Sequence, residues 1–310
     1  MRARWRVKLV QYFVPGQGRR LGVVRGDRVL DITAPEEGVH SALDLIEQGK
    51  TASGVLKRAE WLARQVRRKA MDWLALPRPP SRRAPHLLIP LEPPEVWRAG
   101  ARCRRSAGLC GEEAGAVAGE GSSEPVDAHP RPALSFKATA ARCVGPNAPV
   151  MIRSDSRLTA VEPELALVMG AGGAIVGFTA CHDMSARDIA RENPLYLPQA
   201  TIYRGCCALG PCLVTPDEVG DPYALQVRCS IVRDGSTVFS EAANTSQLPQ
   251  QLEAMVAWLL RDDAVPAGTV LCAGTGILVP DECALREGDR VEVEVQSIGR
   301  LSNPVKRLKV

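Results

Sequence analysis

The pattern best suited to chemistry begins at Glu162-Pro163-Glu164. An apolar run, Leu165 to Met169, leads into a Gly-Ala-Gly-Gly turn at 170–173, and a second run from Ala174 ends in Cys181-His182-Asp183. Two apolar runs around a glycine-rich turn describe a β-hairpin. Side chains two apart on a strand share a face, so Glu162 and Glu164 point the same way. If the turn pairs Met169 with Ala174, then Ala160 faces Asp183 and Glu162 faces Cys181, which brings Asp183 onto the face of the two glutamates. Three carboxylates on one face repel one another, and a hard divalent cation that prefers oxygen ligands (Mg²⁺, Mn²⁺ or Ca²⁺) relieves that repulsion. A lone Glu-x-Glu is more simply a solvated face of an antiparallel sheet. Asp183 on the same face, in uncharged surroundings, tips the balance toward a metal site.

Neighbouring residues supply weaker signals. Alternation sends His182 to the opposite face, where a hydrogen-bonded packing histidine is the simpler reading. His40, His86 and His129 show no partner spacing, and no Ser/His/Asp set has sequence support. Arg187 follows the acidic strand by one helical turn. It can fork onto a substrate carboxylate or pair with Asp188 or Glu192, and both readings stay open. In Gly274-Thr275-Gly276, small residues flank a hydroxyl, which allows close approach of a ligand or makes a plain turn.

The elements that must position these groups are mostly strands. Residues 5–32 read as a small β-meander punctuated by Pro15-Gly16 and Gly26-Asp27, and residues 41–76 carry helical spacing for two or three helices. The Pro-rich stretch from Pro77 to Pro94 suits neither a helix nor a central strand and makes a linker. The expected organisation is a small N-terminal domain over 1–80, a linker over 81–94 and a larger domain over 95–310. Within the larger unit, strands are expected at 134–137, 149–153, 162–169, 174–182, 225–233, 237–239, 269–272 and 290–296, with one helix at 246–261. Segment 111–130, rich in Gly, Ala, Glu and Ser, reads as a loop or lid. The fold class is α+β, rich in β.

Composition narrows the function. The chain has 310 residues, 45% hydrophobic and 24% charged, which excludes disorder and a minimal disulfide scaffold. Four Phe, four Tyr and five Trp are too few for a base-stacking platform. Residues 1–110 carry 22 Lys and Arg against 10 Asp and Glu, a charge of +12, so residues 111–310 carry −8 of the net +4. The basic groups scatter through helix-like sequence (Arg58, Arg64, Arg67, Arg68, Lys69), as on a solvated helix face, and no nucleic-acid partner is expected. Ten cysteines without a Cys-x-x-Cys pair read as small buried hydrophobes in a reducing compartment. The apolar run near the start is too short for a signal peptide, and none approaches the roughly 18 residues of a membrane span. A cytoplasmic protein is expected.

Taken together, several stretches resemble the fumarylacetoacetate hydrolase family. They are EPELALV at 162–168, the glycine turn, CHDMSARD at 181–188, ENPLYLPQA at 192–200, CALGPC at 207–212, AGTGILVP at 273–280 and IGRLSNPV at 298–305, with PEVW at 94–97 and FKA at 136–138. The ENPLYLPQA and GTGI wording is most similar to the branch that dehydrates 2-keto-3-deoxy sugar acids such as 2-keto-3-deoxy-D-arabinonate. The resemblance implies a mixed β-roll catalytic domain with a smaller N-terminal α+β domain, and a homodimer or larger homo-oligomer. It also implies Mg²⁺ or a similar cation on Glu162, Glu164 and Asp183, with Arg187 and Thr275 lining the substrate pocket and Lys137 close by. The chemistry would be that of a 2-oxo acid chelated through its carboxylate and keto oxygens, with an enolate stabilised by the metal.

The chain departs from the family pattern at its acid/base groups. After LPQA the family usually has lysine, and here stands Thr201; after the tryptophan a Val-Thr-Tyr-like stretch is replaced by Ala101-Arg102-Cys103. The hydrolase branch's catalytic histidine has no counterpart. Lys137 and Thr201 are therefore the candidate catalytic positions, and Arg104, Arg187 and Thr275 the candidate substrate contacts. The expected activity is a metal-dependent dehydratase, a carbon–oxygen lyase. The alternatives are a C–C hydrolase or decarboxylase of a 2-oxo or 1,3-dioxo acid, and an impaired member that binds metal and oxo acid. Loss of one acid/base group costs about 10²- to 10⁴-fold in rate.

Overall fold

The N-terminal alternation forms β1 (Lys8–Val14), β2 (Gly18–Arg25) and β3 (Arg28–Asp31), an antiparallel meander with its turns at the expected glycines. Two helices follow, α1 (Ala42–Gly49) and α2 (Ala52–Gln65), each started by a hydroxyl: Ser41 accepts the N–H of Asp44, and Thr51 that of Gly54. The protein is represented by a computed structural model that describes residues 7–66, 70–100 and 131–309. Arg104, segment 111–130, His129 and Arg67 to Lys69 thus lie outside the described residues.

Short strands β4 (Met71–Asp72), β5 (His86–Leu87) and β6 (Val96–Ala99) lead to the β-rich part. It continues through β7 (Leu134–Ala138), β8 (Cys143–Val144), β9 (Val150–Ile152), β10 (Thr159–Met169) and β11 (Ile175–Ala186). Helices α3 (Arg187–Glu192) and α4 (Leu197–Thr201) separate β11 from β12 (Cys207–Val214). The chain ends through α5 (Pro216–Val219), β13 (Gln226–Arg233), β14 (Ser236–Asn244), α6 (Leu252–Leu259), β15 (Val270–Cys272), β16 (Arg290–Val295) and β17 (Gly299–Arg307). The α+β, sheet-rich class is the observed one.

Two mixed sheets carry the fold. The 12-stranded sheet runs β4-β3-β2-β1-β12-β11-β10-β15-β6-β7, with β5 beside β1 and β8 beside β12; the 5-stranded sheet runs β14-β13-β16-β17-β9. Most pairings are antiparallel, while β6 with β15, β8 with β12 and β9 with β17 are parallel. The meander of residues 8–31 continues the sheet of the acidic hairpin, because Lys8 and Leu9 of β1 pair with Val214 and Leu213 of β12. One buried apolar cluster extends from Val7 and Leu9 through Leu165 and Leu167 to Val291 and Val293.

The structure corrects three local expectations. The helix expected at 246–261 spans only 252–259, because Pro249 disfavours helical backbone at Leu248, which sits at φ −59, ψ 130. Strands β12 and β17 escape a reading by propensity because each contains a proline, Pro211 or Pro304. Pro211 falls where the β11–β12 pairing is interrupted, so its missing N–H costs no ladder bond. Third, Glu162 faces Asp183 and Glu164 faces Cys181, a register two residues away from the one expected. The difference arises from a longer turn, in which Gly172 and Gly173 take positive φ, and from an irregularity between Val168 and Met169. Met169 pairs with Ile175 but Val168 with Gly177, so Val176 is the extra residue of a β-bulge. A two-residue difference preserves the facing of every side chain, whereas without the bulge His182 would have stood opposite Glu162.

Candidate metal centre

Strand β10 is a central strand, buried along nearly its whole length, that nevertheless contains a proline and two glutamates. Pro163 is tolerated because β15 starts pairing only at Ala166. Its carbonyl accepts the Thr275 hydroxyl at 2.9 Å instead of a ladder N–H. That bond ties the turn 273–276 to β10 between the two glutamates. The N–H of Gly274 donates to Glu164 Oε2 at 2.7 Å, while Glu164 Oε1 is buried with no hydrogen-bond partner.

Glu162, Glu164 and Asp183 each present an oxygen within 4.8 Å of the other two. Glu164 and Asp183 are buried. Burial, reinforced by Asp183 and Glu162, holds the Glu164 carboxyl well above the usual carboxylate range. Cys181, Cys207 and Cys272 lie alongside, with Cys181 Sγ 3.4 Å from that of Cys272 and 3.8 Å from that of Cys207. Sulfur of low polarity solvates charge poorly, so the negative groups need cations.

Among the described residues, two cations reach the acids. Lys137, fully buried on β7, places Nζ 2.6 Å from Asp183 Oδ1 and donates to the carbonyls of Thr201 at 2.6 Å and Met184 at 2.7 Å. Burial favours the neutral amine, but Asp183 outweighs it and holds the pKa above that of a free lysine. The second cation, Arg98 on β6, is a residue that sequence reasoning missed. Its Nη2 donates to Glu162 Oε2 at 2.8 Å, and its Nε lies 3.0 Å from Asp183 Oδ2. Burial opposes its charge, and Asp183 and Glu162 overcome that opposition. The signal available in the sequence was an arginine inside a short apolar strand, Val96-Trp97-Arg98-Ala99, where a buried charge demands a carboxylate.

The other sequence candidates divide. Thr201 ends α4 with its hydroxyl donated to the Leu197 carbonyl at 2.8 Å, so it meets the site through its own carbonyl and Lys137. Thr275 is beside the glutamates. Arg187 turns to neither Asp188 nor Glu192: it donates to the Val279 carbonyl at 2.5 Å and lies 3.6 Å from Asp281. Asp188 instead accepts from Ser156 and from the N–H of Arg157. His182 is fully buried on the opposite face, where desolvation, partly offset by the nearby Leu301 backbone, lowers its pKa to about 3; contrary to the expectation of a hydrogen-bonded packing histidine, neither ring nitrogen has a hydrogen-bond partner.

The donor set suits a hard divalent ion. It is all carboxylate, converges on one point and leaves a buried oxygen of Glu164 without a partner.

Known proteins with this architecture share both the sequence and the shape. The family model described as Fumarylacetoacetate (FAA) hydrolase C-terminal matches residues 106–306. The chain is 43% identical over 219 residues to the 2-dehydro-3-deoxy-D-arabinonate dehydratase of Saccharolobus solfataricus, covering 70% of this chain and 74% of that one. It is 35% identical over 303 residues to a probable 2-keto-3-deoxyxylonate dehydratase of Haloferax volcanii, covering 95% and 98%. Among solved structures, 2-keto-3-deoxy-D-arabinonate dehydratase complexed with magnesium and 2,5-dioxopentanoate superposes with a TM-score of 0.81 at 32% identity, covering 98% of this chain and all of that one.

Proposed function

Because this chain belongs to the fumarylacetoacetate hydrolase family, we propose that it is a metal-dependent dehydratase that removes water from a 2-keto-3-deoxy sugar acid. The observation that carries this reading is the convergence of Glu162, Glu164 and Asp183 on one face of the β10–β11 hairpin, in a chain similar to an enzyme seen with magnesium and 2,5-dioxopentanoate. A 2-keto-3-deoxypentonate that loses one water gives a dioxopentanoate.

The three carboxylates would hold Mg²⁺ or a similar ion. Bound there, it would supply Lewis-acid polarisation of the carboxylate and keto oxygens of a 2-oxo acid, acidifying the neighbouring carbon. The chain's own groups set the geometry. Gly274 N–H fixes one oxygen of Glu164, and the Thr275–Pro163 bond holds the turn 273–276 against β10, where it would border the substrate. Lys137 and Thr201, the catalytic candidates of the sequence, take positioning roles: the ammonium makes three short contacts, one of them to the Thr201 carbonyl, and orients Asp183. Arg187 and Arg104 complete the reading as substrate contacts.

The finer assignments belong to the same proposal: magnesium as the working ion, a small N-terminal unit over 1–80 beside a catalytic unit over 95–310, a homo-oligomer and a cytoplasmic setting. Among the described residues, six buried free cysteines support a reducing compartment, and exposed Leu195 and Tyr196 support a contact between copies. No helix among the described residues is long and apolar enough to cross a membrane.

The test pairs binding with turnover. Calorimetry is expected to detect Mg²⁺ or Mn²⁺ binding that Glu164→Gln abolishes, and the metal-loaded protein is expected to convert 2-keto-3-deoxy-D-arabinonate to 2,5-dioxopentanoate. Binding that survives Glu164→Gln overturns the metal site. A second reading, a binder without turnover, is favoured by the engagement of the Thr201 hydroxyl with Leu197. It is supported if the loaded protein is silent and Thr201→Lys restores the reaction.

A further inference from the structure

Arg98 stands on oxygens that a divalent ion needs. Its guanidinium spans the site, with one nitrogen on Glu162 and another on Asp183, and its side chain is 10% exposed. Lys137 takes the other oxygen of Asp183. Among the described residues, Glu162 is thus met by one cation and Asp183 by two before any ion arrives. A divalent ion bonds carboxylate oxygens at about 2.0–2.6 Å. An ion on Glu162 Oε2 and Asp183 Oδ2 would therefore lie within a few ångströms of the guanidinium, where two like charges in a sulfur-lined, water-poor site repel strongly.

We propose that Arg98 is an internal occupant of the carboxylate triad, which a divalent ion must displace in order to bind. The inference rests on the metal reading given above and adds to it that the affinity for the ion is set by β6, a strand that supplies none of the three carboxylates. The side chain does two things. In the absence of metal it keeps three buried acids together. In the presence of metal its eviction opposes binding, so the apparent dissociation constant is raised by the fraction of molecules in which the guanidinium occupies the triad, while the isotherm stays that of a single site.

The experiment uses the full-length protein, titrated with Mg²⁺ by calorimetry and with Mn²⁺ by electron paramagnetic resonance, in the wild type, Arg98→Gln and Glu164→Gln. Arg98→Gln is expected to tighten metal binding by roughly 10- to 100-fold, the range set by loss of a charge-assisted hydrogen bond to a buried carboxylate. Its thermal midpoint without metal is expected to fall below that of the wild type. A wild-type measurement guards against misfolding of the variant: in nitrogen-15 spectra of arginine side chains, the Nε–H signal of Arg98, identified by its loss in Arg98→Lys, is expected to shift on saturation with Mg²⁺. Unchanged or weaker metal affinity in folded Arg98→Gln, or an Nε–H signal indifferent to Mg²⁺, overturns the inference and leaves the metal site standing. Unchanged metal affinity with weakened binding of a 2-oxo acid such as pyruvate also overturns it and makes Arg98 a substrate contact. If neither wild type nor Arg98→Gln binds metal, the metal reading itself falls, and the inference with it.

Discussion

At Lys137 two effects of opposite sign act on one amine, and the structure shows which prevails. Burial favours loss of the proton, while Asp183 at 2.6 Å and two backbone carbonyls favour keeping it. All three ammonium hydrogens have acceptors. Lys137→Met removes the cation without much loss of volume and leaves Asp183 Oδ1 and two carbonyls without their donor. The expected destabilisation is about 3–5 kcal/mol, typical of breaking a buried pair, read from the urea midpoint at neutral pH. A change below about 1 kcal/mol would mean that Arg98 alone suffices for Asp183. These groups were unequally legible. The three acids could be grouped from strand parity, and Lys137 from family wording. Arg98 carried only the weaker signal of an arginine among apolar residues, because in a four-residue strand it reads as a polar residue until the strand's neighbours are known. Arg98 and its carboxylate partner Glu162 are 64 residues apart.

Elements were legible where period and punctuation agree. The meander, both helices before residue 66 and the acidic hairpin all carry such agreement, whereas β12 and β17 hide behind prolines whose tolerance depends on a neighbour's register. Hairpin register was read to within two residues, since a sequence shows where a glycine turn lies but not how many residues it absorbs or where a bulge forms. The α1–α2 junction shows how contact can reverse propensity. Within a helix, Gly54→Ala gains about 1 kcal/mol by propensity. Here, however, the added Cβ would stand 2.0 Å from the carbonyl oxygen of Gly49 at the end of α1. Backbone cannot yield as a side-chain tip does, and overpacking costs about 1–3 kcal/mol or more. Gly54→Ala is therefore expected to lower Tm by about 2–4 °C in scanning calorimetry. A higher Tm would show that the two helices part freely.

On the scale of the whole molecule, the boundary near residue 80 is a change of composition but not a break in the sheet. β1 pairs with both β2 and β12, and residues of the meander and of the acidic hairpin share one apolar cluster. Calorimetry of the intact chain is expected to give one cooperative transition, with agreement between calorimetric and van't Hoff enthalpies. Two separated transitions would show that residues 1–80 unfold on their own. Pairing between elements this far apart in sequence is what a reading along the chain cannot supply. It also imposes an order on biosynthesis. The hairpin of residues 159–186 can close on the nascent chain by local contacts alone, but β6 and β7, which carry Arg98 and Lys137, join it in the sheet only through β15. Until residues 270–272 have been synthesised, the acids lack that route to their resident counter-ions, although Arg98 and Lys137 are already part of the chain. A centre whose acids and bases are made early is thus closed by one of the last strands to be made.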